Sequence, residues 1–172
     1  MIVIDGAIGD PTEADAVFYT DVLAALRACG DPMPVVQVTS WGGSAREGIA
    51  IYDAIRCDGR PTVTRVRRIA SSAGALVAMA GDRVEIEADA FLMFHGAIAY
   101  VAGDGPVFGI AADLIDQTNQ ALAAAMARIS GRSVAHELTQ LIAAGDRWLS
   151  ADEALQAGYV HAIVAPHYGG LP

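Results

Sequence analysis

Residues 62 to 80, TVTRVRRIASSAGALVAMA, set the tightest limit on what this chain can fold into. Thr62 to Ile69 alternates around β-branched residues and reads as a strand. After Ala70-Ser71-Ser72 comes Ala73 to Ala80, small, apolar and rich in helix formers, with Gly81 as the expected C-cap. A serine therefore stands where a strand feeds a tightly buried helix. The free N–H groups and partial positive charge of a helix N-terminus favour both a nucleophilic hydroxyl and an oxyanion there. Taken alone, the stretch is better explained by a plain serine N-cap. Other segments have to decide.

Strands and helices alternate along the rest of the chain. Met1 to Ile4 reads as a strand, and Pro11-Thr12-Glu13-Ala14-Asp15 as a helix start capped by Thr12, the helix ending at Gly30. Val35 to Thr39 is a buried strand. It leads through the turn Ser40-Trp41-Gly42-Gly43 into a helix from Ser44 to about Cys57, opened by a Ser44–Glu47 capping box. Arg83 to Glu87 and Phe91 to Phe94 are further strands, the second ending on His95. Glycines at 96, 103, 105 and 109 mark a mobile loop or hairpin. Helices follow from about Ile110 to Ile129 and from Ser133 to about Ala144. Asp146 lies in a loop before a short helix capped by Ser150, and Tyr159 to Val164 is the last strand. This order predicts one α/β domain with mostly parallel pairing, residues 1–165, and a loose C-terminal tail, 166–172.

Composition removes whole classes of function. With 172 residues the chain can bury a real core, and its hydrophobic fraction of 53% reaches no run of the ~18 residues a membrane helix needs. The first residues lack the basic and apolar regions of a signal peptide. A net charge of −9 speaks against nucleic acid or an anionic membrane as partner. Arg65, Arg67 and Arg68 form the one basic cluster, expected at a sheet edge or interface. Cys29 and Cys57 match no metal or disulfide spacing and are expected as buried, reduced thiols. No lysine occurs in the sequence, which excludes Schiff-base chemistry, Ser–Lys dyads and a P-loop lysine. No cofactor or metal is expected.

A serine nucleophile needs a base, and the base needs an acid to fix its tautomer. His95 at the end of an apolar strand and Asp146 in its loop are the available partners for Ser72. The bare N–H groups of Gly42-Gly43 can face a carbonyl oxygen. Singly, each has a dull explanation: a core histidine, a turn aspartate, a glycine turn. Together and in this order they favour catalysis.

Four blocks carry a resemblance to the proteolytic subunit of the Clp protease, within the wider crotonase-like fold. They are Ser40-Trp41-Gly42-Gly43-Ser44 with Gly48 to Asp53, Ala70-Ser71-Ser72-Ala73-Gly74-Ala75, Phe91 to His95, and Asp146 to Ala154 with Gly158-Tyr159-Val160. The resemblance implies a layered spiral of strand-strand-helix units in a single domain. It also implies a Ser72-His95-Asp146 triad, an oxyanion hole from the Gly43 and Ala73 N–H groups, and a self-assembling ring. Substrate contacts are expected at Trp41, Gly42, Gly96 and Ala97. Trp41 replaces a proline of the family pattern, and Gly96-Ala97 replaces a polar residue and proline. The chain begins near the first core strand, without the family's ATPase-docking helix and loops, which weighs against a Clp-type ATPase partner. Ala78 to Val84 looks more like the related head-maturation proteases of bacteriophages, which makes a capsid protein a candidate partner. The expected location is the cytoplasm of a bacterial or phage-infected cell. The rival expectations are a catalytically degenerate assembly subunit and, less favoured, a crotonase-type acyl-CoA hydratase or isomerase.

Overall fold

Ile4, Val36, Val38, Val66, Val84 and Ile86 are all fully buried, and they recur at every second position because successive strand side chains point to opposite faces. They belong to β1 (Ile2–Asp5), β2 (Val35–Ser40), β3 (Val63–Ser71) and β4 (Arg83–Glu87). In the computed structural model, which describes residues 1–166, these strands pair in parallel in the order β1-β2-β3-β4-β7, with β7 at Ala162–Val164. Helices α1 (Tyr19–Ala28), α2 (Ala45–Arg56) and α3 (Ala73–Ala78) contribute Val22, Leu26, Ile51, Ile55 and Leu76 to the same core. This is a mixed α/β domain built on a parallel sheet, as the alternation of elements predicts.

Strand β3 changes partner along its length within one seven-stranded sheet. Its first half pairs β4, and Ile69–Ser71 pairs β5 (Phe91–Phe94). Between the halves the register against β2 jumps from Val38↔Val66 to Ser40↔Ala70. The extra residues on β3 form a bulge at which Arg68 has φ +55°, the bend that re-aims a strand. β5 also pairs antiparallel with β6 (Arg147–Ser150). The long α4 (Gly105–Ser130) buries Leu122 and Met126, followed by α5 (Val134–Ala143) and α6 (Ala151–Gln156).

Several expectations are corrected. The first helix begins at Tyr19, not near Thr12. The Asp10 carboxylate accepts hydrogen bonds from the Thr12 N–H and hydroxyl, so this segment closes on itself as a turn. Its other end is at Ala28, with Cys29 as C-cap. At Ser44 the box is only half made: Ser44 Oγ accepts from the Glu47 N–H, but the Glu47 carboxylate takes the Tyr19 N–H. Likewise α3 ends at Ala78 with Met79 as C-cap, ahead of Gly81. α4 starts at Gly105, absorbing Gly109, because Asp104 caps it and a proline occupies its first turn. Residues 147–150 form a strand where only a lead-in to a helix was expected, and the last strand begins at Ala162 rather than Tyr159.

The arginines lie on the central strand, not at an edge. Their face of the sheet is opposite to the helices. There Gln37, Arg65 and Glu85 stand in register, Arg65 pairs Glu85 at 2.8 Å, and Arg67 pairs Glu87 at 3.1 Å. Nor are the cysteines buried: Cys29 is half-buried and Cys57 exposed, both free. Of the expected tail, 167–172 lies outside the described residues. No helix among the described residues is long and apolar enough to cross a membrane.

Candidate active site

The junction of β3 and α3 is a sharp turn. Ser72 has φ +54° and ψ −121°, a region that L-residues avoid and that costs of order 1–3 kcal/mol to hold. A nucleophile raised on such a strand-to-helix turn is exposed rather than folded into the sheet. Of the two serines, Ser71 is 2% exposed and part of β3. Ser72 is half-buried and lines a cavity of about 350 Å³. Its own N–H donates to the Met93 carbonyl at 3.0 Å, which ties the turn to β5, the strand that delivers His95. His95, Gly43, Ala73 and Ala97 line the same cavity.

Two glycines shape its rim. Ser40 Oγ donates to the Gly6 carbonyl at 2.7 Å and accepts the Gly42 N–H at 3.1 Å. The Ile8 N–H donates to the Gly42 carbonyl and the Ser44 N–H to the Ile8 carbonyl. So held, Gly42 and Gly43 take φ +100° and +139°, and a Cβ at Gly42 would stand 2.8 Å from Ser72 Cβ. The Gly43 N–H makes none of the hydrogen bonds among the described residues. The Ala73 N–H opens α3, where no earlier helical carbonyl can receive it. Two free donors thus flank the serine.

Asp146 is not joined to this group. Its side chain is exposed, lines neither cavity that flanks the glycine turn, and makes none of the hydrogen bonds or ion pairs among the described residues. Its backbone is nonetheless well placed. The β5–β6 ladder ends at Phe94↔Arg147, the neighbours of His95 and Asp146, so the two segments leave the ladder at the same end. The next residue is fixed, since Arg147 donates to the Tyr159 hydroxyl at 3.0 Å. That hydroxyl in turn donates to Glu137 Oε2 at 2.6 Å.

Trp41 and Gly42 line a second cleft on the other flank of the glycine turn. Gly96 lies beside Asn119, whose Oδ1 would be 3.6 Å from a Cβ there. Sequence reasoning missed Asn119. It is buried on α4, lines the cavity, and accepts the Ala97 N–H at 2.7 Å, holding the segment that follows His95. Its signal was a polar side chain three residues before Leu122, on the apolar stripe of an amphipathic helix.

A serine on a strained strand-to-helix turn, sharing a cavity with a histidine and two unpaired N–H groups, is the layout of a serine-type peptidase. The chain belongs to the Clp protease family, whose model matches residues 2–167. It is 31% identical over 160 residues to the ATP-dependent Clp protease proteolytic subunit 3 of Streptomyces coelicolor, covering 89% of this chain and 72% of that protein. To subunit 2 of Nocardia farcinica it is 32% identical over 133 residues, covering 74% and 63%. A solved structure of a ClpP1 mutant from Listeria monocytogenes superposes with TM-score 0.79, covering 96% of this chain and 91% of that one. At 22% identity that likeness speaks to the fold.

Proposed function

We propose that the chain hydrolyses peptide bonds with Ser72 as nucleophile, His95 as base and then acid, and Asp146 as the group that orients the imidazole. Ser72 Oγ attacks the substrate carbonyl carbon while its proton passes to His95. The tetrahedral oxyanion is held by the Gly43 and Ala73 N–H groups. Its collapse breaks the C–N bond as His95 returns the proton to the leaving amine, and water then releases the acyl group by the same route. One observation carries the reading: Ser72, not Ser71, lines the cavity that also holds His95, and it does so at φ +54°. The last link needs the Asp146 side chain to turn toward His95, whose strand ends beside the start of β6.

The experiment is active-site labelling with a fluorophosphonate. Wild type is expected to label stoichiometrically and Ser72→Ala not at all. Undiminished labelling of the alanine variant sinks the assignment. A second reading, a degenerate subunit that assembles without cleaving, draws on the exposed, unbonded Asp146. It predicts unlabelled protein that still forms a well-defined oligomer.

A homo-oligomeric ring is the arrangement we favour, since Val107, Phe108, Ile110 and Leu114 are exposed on the first half of α4. The curated relatives are named ATP-dependent. For this chain we favour a polypeptide substrate, and capsid protein is the narrower substrate suggested by the likeness of Ala78 to Val84 to the head-maturation proteases. Cleavage of an unfolded polypeptide by the isolated protein checks the first part.

A further inference from the structure

The Gly42–Gly43 turn has a cavity on each flank, and Gly43 lines both. The second, of about 810 Å³, is walled by Trp41, Phe91 and Trp148. Trp41 is 72% exposed and Trp148 46%. Their rings meet edge to face with centroids 6.1 Å apart, so an indole face stays open to water. Large aromatic surface left uncovered beside a reaction site marks a place where something else lies.

Charge says what kind of side chain fits. The remaining wall includes Asp5, Asp10, Glu13 and Asp15 against a single cation, Arg68. Arg68 is paired with Asp5 at 3.2 Å, which leaves three carboxylates without a cation. The Glu13 and Asp15 side chains make none of the hydrogen bonds or ion pairs among the described residues. An acidic occupant would be repelled. A purely apolar one would strip water from carboxylates and give nothing back. A guanidinium or ammonium satisfies both walls at once, stacking on indole and facing carboxylate.

We propose that this aromatic cleft is the subsite for the part of the polypeptide substrate that runs past the glycine turn, and that it selects a basic side chain. The inference rests on the proteolytic reading of Ser72 and adds the substrate class. Continuity through Gly43 is what makes the occupant a segment of the same substrate. One extended chain crossing the turn meets both cavities.

The test uses the fact that the chain has two tryptophans, and both line this cleft. Full-length Ser72→Ala protein is titrated with capped alanine-based hexapeptides carrying two arginines, two norleucines or two glutamates at the same positions, and tryptophan emission is followed. The arginine peptide is expected to change the emission saturably and to bind about tenfold tighter than the norleucine peptide, the scale of a partly desolvated cation–π contact. Glu13→Gln combined with Asp15→Asn, both at exposed positions, is expected to abolish that preference. Added salt should weaken it. Equal affinity for the arginine and norleucine peptides, or no response to either, overturns the proposal. Because the readout is binding to a protein that cannot cleave, it separates from the labelling test. Arginine-selective emission with unlabelled wild type would leave the cleft standing and remove the nucleophile.

Discussion

Gly42 and Ser72 are thirty residues apart and in contact, and neither could be exchanged for an ordinary side chain in an ordinary conformation. At Gly42 a methyl group would lie 2.8 Å from both the Ser71 carbonyl oxygen and Ser72 Cβ, with the backbone at φ +100°. Neither neighbour is the loose end of a flexible chain, so the turn must move away from the serine. Gly42→Ala is therefore expected to cost about 1–3 kcal/mol of stability. It should also slow fluorophosphonate labelling by roughly 10²–10³, the usual consequence of misplacing one oxyanion donor. Thermal melts and labelling rates on the same sample check the two halves. Full labelling speed in a folded variant would mean that the turn has no part in the site. At this scale the sequence was legible in part: the glycine pair marks a turn, but a serine gives no sign of the positive φ at Ser72, which only the packed strand-to-helix junction imposes. Asn119 was not legible, because its importance lies in a hydrogen bond to Ala97, a contact that only the packed helix creates.

Elements were legible where local chemistry agrees with tertiary packing. The β3–α3 junction and β5 are such cases, with alternation and helix formers pointing the same way. The start of the first helix misled because Asp10 captured Thr12 before a helix could. β6 misled because four residues, Arg-Trp-Leu-Ser, hold no periodicity of their own and become a strand through pairing with β5. What fixes β6 is a buried network. Glu137, fully buried, accepts from Ser130, Arg132 and the Tyr159 hydroxyl, and that hydroxyl receives Arg147. Burial alone would raise the Glu137 pKa, but the three donors outweigh it and hold the carboxyl below the usual 4.5. A carboxylate with a depressed folded pKa stabilises the fold above its unfolded value and loses that contribution as pH falls through the folded one. Acidification below about 4.5 is thus expected to weaken the wild type more steeply than Glu137→Gln. Denaturant melts between pH 6 and pH 3 measure this, and parallel curves would contradict it. Tyr159→Phe should cost about 1–3 kcal/mol by leaving Glu137 and Arg147 short of a partner.

For the whole molecule, the alternation of strands and helices gave the layered α/β class, while the placement of the charges came from the sheet. A parallel sheet is ordinarily covered on both faces. Here helices cover one, and the other closes itself with Arg65–Glu85 and Arg67–Glu87 pairs. The burial of Glu85 opposes its ionisation, yet the bonds from Arg83 and Arg65 keep its pKa low. Such a face has these charges matched internally. The first half of α4 is the opposite case. Leu122 and Met126 anchor its second half in the core, while Ile110 and Leu114 stand exposed one turn apart. Covering what remains exposed of two such side chains against a second copy is worth about 2–4 kcal/mol in apolar transfer, enough to drive association when several copies contribute. Ile110→Asp with Leu114→Asp removes this and puts carboxylates where a second copy would have to strip them of water. Light scattering is expected to give a multiple of 17.8 kDa for the wild type and a single chain for the double variant, with circular dichroism unchanged. A monomeric wild type at micromolar concentration would mean that the exposed half of α4 serves something other than self-association. A double variant that keeps the oligomer would move the interface to another surface.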